Sequence, residues 1–336
     1  MNNVVKNKYL VCGAGGFIGG HITKRLLQSG HSVTCVDIKP LDLWFQKFEN
    51  ANNFSLDLSD LNNCERIVEG NDFVINMACN MGGIGFIEWN KARCMLSVLI
   101  NTHLLLACQK YNIRKYFFSS TACVYNKDLQ NNSFVSGLKE SDAYPANPED
   151  GYGWEKLFSE RMCNHFKEDF NLDAKVARYH NIFGPLGTFD GGREKSPAAL
   201  CRKIAMAKIK KLPEIDVWGD GEQTRSYLFI EDCIDATLKL FDSNHTGPFN
   251  IGSEEQVSIN QMISMIEEIS NHKVKRNYQL DMPTGVRGRS SDNTLIGKKI
   301  NWEPKFTLYN GLELTYNWIE KMLLSRDNRV SVFSKS

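Results

Sequence analysis

The chain has 336 residues, 42% hydrophobic and 24% charged, the composition of an ordinary globular protein, and its length suits one large domain with a smaller companion. Lys and Arg total 40 against 39 Asp and Glu, and a formal net charge of +1 gives no electrostatic case for a nucleic-acid or membrane partner. No apolar run approaches the ~18 residues of a membrane span, residues 1–8 are short and polar rather than a secretory leader, and ten scattered cysteines without a C-x-x-C pair argue against a zinc site or a disulfide framework, leaving reduced thiols in a cytoplasmic protein as the plain reading.

In chain order, apolar runs and amphipathic stretches alternate. Residues 8–12 read as a strand, 19–29 as a helix, 32–37 as a strand, 62–69 as a helix and 73–77 as a strand. A long helix over 94–110, a strand at 115–119, a helix over 152–169 and a strand at 174–178 continue the rhythm. Strands separated by helices predict βαβ units, a parallel sheet and right-handed crossovers. Beyond Asn181 a Gly- and Pro-rich segment, 184–197, precedes a helix over 198–208, strands at 216–218 and 226–229, and a helix over 232–241. The rest is mixed, and the polar residues 325–336 read as a frayed tail.

Gly13, Gly16 and Gly19 follow the first strand directly and open the first helix, the G-x-x-G-x-x-G form of the Rossmann fingerprint. Glycine is required there because the turn is tight and the backbone must approach a pyrophosphate, which the free amides around Phe17, Ile18 and Gly19 then receive. Asp37, ending the second strand, is placed to accept hydrogen bonds from the adenosine ribose, which favours NAD over NADP, although Lys39 offsets part of the repulsion toward a 2′-phosphate. Asp57 falls where an adenine contact is expected after a third strand.

Tyr152 and Lys156 stand four residues apart and so share one helix face. A neighbouring ammonium is expected to lower the phenol pKa from about 10 toward neutrality, making Tyr152 a base for an alcohol proton. Together with Asn76-Met77-Ala78, Phe118-Ser119-Ser120-Thr121 and the run from Arg178 to Pro185, this pattern resembles the extended short-chain dehydrogenase/reductases over nearly the whole chain. The resemblance implies a doubly wound α/β fold, tightly held NAD, a sugar-nucleotide substrate and a homodimer, with Thr121, Tyr152 and Lys156 catalytic and Tyr152 and Lys156 also against the cofactor. It implies a Rossmann domain over 1–181, completed by parts of 216–250, and a smaller mixed α/β substrate domain mostly over 182–325.

Within that family, 4,6-dehydratases look like T-D-E where this chain has Thr121-Ala122-Cys123, so dehydration is disfavoured. The runs 80–86, 191–195, 218–226 and 285–293 resemble instead the GDP-mannose 3,5-epimerase group. That resemblance implies an acid/base pair of Cys123 and Lys195: oxidation at C4 acidifies the C3 and C5 protons, and inversion then needs a base on one face and an acid on the other. It further implies substrate contacts from Gly82 and Gly83, Asn181, Glu194 and two guanidinium groups, Arg225 and Arg289, gripping the diphosphate. Asn80, Asn126 and Trp154 depart from the group's pattern at positions expected near the sugar or nicotinamide, which leaves open another nucleotide sugar, such as a 6-deoxy or heptose derivative. A catalytically silent NAD-binding sensor is the alternative outside enzymes, and intact Tyr152 and Lys156 argue against it. No metal site is expected.

Overall fold

A computed structural model describes residues 6–325; the tail 326–336 and the first five residues of the polar N-terminal stretch lie outside the described residues. Six strands in chain order, β1 (Lys8–Cys12), β2 (Ser32–Asp37), β3 (Asn52–Ser55), β4 (Phe73–Asn76), β5 (Lys115–Thr121) and β6 (Asp173–Tyr179), join Phe249–Ile251 in one sheet. From one edge to the other the order is Phe249–Ile251, β6, β5, β4, β1, β2, β3, and every pairing is parallel. Successive residues alternate faces. Tyr9, Val11, Ile75 and Phe117 therefore enter one core and Leu10, Cys12, Val74, Tyr116 and Phe118 the other, so both faces are covered.

Phe17–Gln28 and Ile230–Asp242 cover the first face with Ile22, Leu26, Ile234 and Leu240; Leu61–Val68, Val98–Lys110 and Tyr152–Phe170 cover the second with Ile67, Val68, Leu104, Leu105 and Cys163. The remaining chain builds small sheets: Glu214–Trp218 with Lys275–Gln279, Thr224–Ser226 between Gln256–Ser258 and Gly288–Arg289, and Ile182–Phe183 with Leu228–Phe229. The helices Ser196–Lys210, Ile259–Ser270 and Leu308–Ser325 pack together beside them.

Two expectations are corrected. The expected strand at 226–229 is two pieces, Thr224–Ser226 and Leu228–Phe229, paired to different sheets, because the Leu228 amide turns to the Asn181 carbonyl. The expected helix over 94–110 breaks into Lys91–Met95 and Val98–Lys110; at the break the Ser97 hydroxyl accepts the Asn80 amide at 2.8 Å. By length and composition Lys91–Lys110 is also apolar enough to cross a membrane, more than the sequence reading allowed, yet its second part packs on Tyr152–Phe170 as a layer of the α/β fold.

Behind the carboxyl end of β5 lies a buried charge pair. Arg178 donates twice to Glu160, at 2.9 and 2.7 Å, and once to the Glu140 carbonyl at 2.7 Å, while Ser120 donates to the same Glu160 at 2.5 Å. Both side chains are almost sealed from water. Arg178→Met is expected to cost about 3–5 kcal/mol in urea unfolding, because it strands a buried carboxylate. The double variant Arg178→Met/Glu160→Leu, which removes both charges, should recover most of that loss.

Candidate active site

The glycine turn fits a dinucleotide. Gly13 has φ +77°, and a Cβ on it would stand 2.8 Å from the Met77 carbonyl carbon, while a Cβ on Gly19 would overlap the Gly13 carbonyl. The turn lies between β1 and β4, where the sheet order reverses, and Gly16 caps Phe17–Gln28 with no acidic residue in the first turn. No carboxylate thus competes there for the free amides and the positive helix end. Phe17's own ring packs against Gly184, Gly187 and His21, and Ile18 packs against the core, so their contribution toward phosphate is through the backbone. Asp37 is buried at the end of β2, with one carboxylate oxygen taking the Lys39 amide at 3.0 Å. The Lys39 ammonium turns back onto the Gly15 carbonyl at 3.2 Å, pinning the glycine loop. Asp57 is exposed and caps its own turn through the Ser59 amide.

Thr121, Cys123, Tyr152, Lys156 and Lys195 converge. Thr121 ends β5, and its hydroxyl accepts the Cys123 amide at 3.3 Å. Tyr152–Phe170 starts at Gly151, which has φ +62° and would press a Cβ onto Lys91. Lys156 is buried and donates to the Ser119 carbonyl at 3.0 Å, its nitrogen 4.6 Å from the Phe118 ring centroid and 5.8 Å from that of Tyr152.

The tyrosine corrects an expectation. Burial pushes the Tyr152 phenol well above its usual range, Cys79, Cys123 and Glu155 add to that, and Thr121 opposes it. The Lys156 ammonium donates to the Ser119 carbonyl, and desolvation dominates at the phenol. Cys123 and Lys195 shift in opposite directions. Burial and the Glu149 charge raise the thiol, with Arg289, Thr121 and Lys195 pulling it back. Burial lowers the lysine, against Cys123 and other thiols nearby. A thiol and an amine in one site can serve as acid and base at a shared carbon acid.

The guanidinium groups also differ from expectation. Arg289 is buried, with its Nε on Gln130 at 2.6 Å, one terminal nitrogen 3.7 Å from the Cys123 sulfur, and the other on the Glu149 carboxylate. It therefore serves the thiol directly. Arg225 gives its terminal nitrogens to the carbonyls of Thr224, Thr284 and Val286, at 2.7, 3.0 and 2.6 Å, and burial depresses its pKa to about 10. No carboxylate lies within ion-pair distance of Arg225 among the described residues, which leaves its charge to an incoming anion.

Other expected contacts are engaged in structure. The Glu194 carboxylate takes the Gly192 amide at 2.7 Å and Arg202 at 3.1 Å, and the Asn181 amide donates to the Ser226 carbonyl at 3.0 Å. Gly82 and Gly83 allow an approach to protein backbone: Gly83 donates to the Arg193 carbonyl at 3.0 Å, and a Cβ on it would overlap the Glu194 carbonyl. That contact places the Lys195 loop. Trp154 is exposed on the outer helix face, away from the site. Asn126 instead shapes the turn that presents Gln130, its carbonyl accepting the Gln130 side chain at 3.1 Å.

Gln130, Glu149 and Cys79 escaped the sequence reading. The first two sit in the irregular stretch between Thr121 and Tyr152, where no periodicity speaks. Cys79 directly succeeds the Asn76-Met77-Ala78 run, and its adjacency was the available signal.

Arg289→Met should remove the cation beside Cys123 and leave Glu149 unopposed, both raising the thiol pKa. Alkylation of Cys123 by iodoacetamide, followed at fixed mildly alkaline pH by peptide mass spectrometry, should slow by roughly tenfold, the effect of one pKa unit. Arg289→Met/Glu149→Gln should recover part of the rate.

Residues 9–252 match the model of the NAD dependent epimerase/dehydratase family. The chain is 40% identical over 333 residues to a GDP-mannose 3,5-epimerase of Arabidopsis thaliana, covering 98% of this chain and 87% of that protein. It is 41% identical over 319 residues to GDP-mannose 3,5-epimerase 1 of Oryza sativa subsp. japonica, covering 95% and 83%. Among solved structures it superposes on UDP-glucuronic acid 4-epimerase from Bacillus cereus, in complex with UDP-glucuronic acid and NAD, with TM-score 0.79 and 25% identity over 94% of this chain and 99% of that one. A glycine turn at the sheet's switch point, a Tyr152/Lys156 pair at its rim and these likenesses together place the chain in the NAD dependent epimerase/dehydratase family.

Proposed function

We propose that this enzyme epimerises GDP-D-mannose at C3 and C5 to GDP-L-galactose, with the C5-only epimer GDP-L-gulose as a second product, through a transient 4-keto sugar. The observation that carries the reading is Cys123 packed beside Tyr152, with Lys195 close enough for its charge and the thiol to act on each other. The Gly13–Gly19 turn and Asp37 would hold NAD, which would supply the reversible hydride chemistry at C4. Tyr152 takes the C4 hydroxyl proton. Lys156, fixed on the Ser119 carbonyl, would hold the cofactor ribose. Once C4 is a carbonyl, a carbanion at C3 or C5 delocalises into an enolate, and Cys123 and Lys195 remove and return protons on opposite faces. Arg289 holds the thiolate form of Cys123, and Arg225 offers its unneutralised charge to the diphosphate. Cofactor binding is assigned to 1–181 with the returning Phe249–Ile251 strand, and sugar-nucleotide binding mostly to 182–325.

We further propose a homodimer. Met95, Leu96, Leu99 and Leu106, on and between Lys91–Met95 and Val98–Lys110, and Trp154 and Phe158 on the neighbouring Tyr152–Phe170 are all exposed large apolar side chains. Leu99 and Leu106 lie seven residues apart and Trp154 and Phe158 four, spacings that gather each pair on one helix face. A second copy of this chain, bringing the same helix pair, covers them by two-fold symmetry.

Incubation with GDP-mannose and NAD in D₂O should place deuterium at both C3 and C5; no deuterium at either carbon overturns the reading. Cys123→Ala and Lys195→Met should each lower incorporation by at least roughly a hundredfold, the lower end of what one positioned acid or base contributes. Cys123→Ser at full activity would count against the acid/base assignment. For assembly, Leu99→Glu/Phe158→Glu should run as a monomer in light scattering where the wild type runs as a dimer.

A further inference from the structure

The loop between β2 and β3 folds back over the glycine turn. It leaves β2 directly after Asp37 and makes one short helical turn, Leu41–Leu43, on the way to β3. Trp44 is buried, and its indole lies on Gly15: a Cβ on that glycine would stand 2.5 Å from the indole nitrogen and 2.6 and 2.7 Å from two ring carbons. The same nitrogen donates to the Lys39 carbonyl at 3.1 Å, and the Lys39 ammonium donates to the Gly15 carbonyl at 3.2 Å. Gln46, also buried, reaches the helix that the turn opens. Its side-chain amide donates to the Phe17 carbonyl at 3.3 Å and would stand 2.6 Å from a Cβ on Gly20.

The loop is itself braced at both ends. At its root the Lys39 amide donates to the Asp37 carboxylate at 3.0 Å, and farther along the Phe45 ring meets Trp318 of Leu308–Ser325 edge-on, with centroids 5.8 Å apart. Asn53 at the start of β3 donates to the Phe48 and Ala51 carbonyls at 2.8 and 3.0 Å. One loop thus ties together the two surfaces that fit the dinucleotide, Asp37 and the glycine turn, and does so through contacts among protein groups alone.

We propose that Trp44 and Gln46 are positioning residues for cofactor retention: they clamp the glycine turn through Gly15, Phe17 and Gly20, hold its free amides in the arrangement that receives a pyrophosphate, and so slow the release of NAD. A turn ordered by the fold has no ordering cost left to meet on binding, whereas a turn able to relax offers the bound cofactor a way out. Changes of this kind act mostly on dissociation. An enzyme with no net redox change needs the same cofactor molecule at the start and the end of a turnover, so slow release serves the family's chemistry. The inference depends on the cofactor and on no particular sugar.

Trp44 is also part of the main core cluster, so loss of packing has to be separated from loss of the clamp. Trp302 supplies the comparison. It is buried in the same cluster, lies outside this loop, and its indole nitrogen has no partner among the described residues.

For the test, holoenzyme of each variant is equilibrated with radiolabelled NAD and chased with excess unlabelled NAD, and retained label is followed in time. No sugar is present, so the outcome is independent of the substrate reading. Trp44→Ala should speed release by at least roughly tenfold. Gln46→Met keeps the volume but not the donor and should speed it by roughly threefold, within the range of one neutral hydrogen bond. Trp44→Phe leaves a ring over Gly15 without the donor to Lys39 and should fall between wild type and Trp44→Ala, while Trp302→Phe should release at the wild-type rate. Sites per chain should equal those of the wild type throughout, because a looser turn still binds. Release unchanged in both Trp44→Phe and Gln46→Met overturns the proposal, even where Trp44→Ala does not fold. So does a Trp302→Phe variant as fast as Trp44→Phe, or a loss of sites with an unchanged rate in those that remain.

Discussion

Desolvation is the constraint on which this site depends. Lys156, Lys195, Arg225 and Arg289 carry four positive charges into a region where water is largely excluded, and a cation taken out of water survives only with acceptors around it. Each has a different solution. Lys156 rests on the Ser119 carbonyl and over the Phe118 ring, Arg225 on three backbone carbonyls, and Arg289 on Glu149, Gln130 and the Cys123 sulfur. Burial lowers the Lys195 pKa, against the opposing pull of Cys123, Cys79 and Cys233, with a smaller push from Arg289.

The architecture meets that demand. Carbonyls at the ends of parallel strands are available because the strands stop there, and the sheet's two cores hold those ends rigid. The buried Arg178–Glu160 pair sits one layer behind, tying β6 to Tyr152–Phe170 and, through Ser120, to the end of β5. Cys123 leaves β5 two residues beyond Thr121, so the charge pair orients both the strand that delivers the thiol and the helix that delivers the phenol. The glycines at 82 and 83 extend the same logic: two backbones come together so that the Lys195 loop is carried by the fold. An acid/base pair works only if both members stand in place before the carbon acid forms.

Family membership and site chemistry meet at a few positions. The Gly13 turn and the Tyr152/Lys156 pair fit the cofactor chemistry of the family, and Cys123, Lys195 and Arg289 are the residues to which the proposed function gives the chemistry on the ketone. Glu149 and Gln130 enter as the residues that hold Arg289 against the thiol, and they come from an irregular stretch whose course is set by tertiary contacts such as Leu138 with Ser290 and Arg287 with Gln130.

The features that the sequence by itself determined are those that depend on local pattern. Short continuous apolar runs within 8–12, 73–77 and 115–119, separated by helices, dictate buried parallel strands, Gly13, Gly16 and Gly19 dictate a tight turn, and a four-residue spacing puts Tyr152 and Lys156 on one helix face. Tertiary structure alone decided the electrostatics. Whether Arg289 faces a diphosphate or a sulfur, whether Lys156 lowers the phenol or is outweighed by burial, and whether Trp154 lines the site or the surface depend on long-range neighbours and on how much water remains. Desolvation is a property of the packed assembly, and no spacing along the chain encodes it.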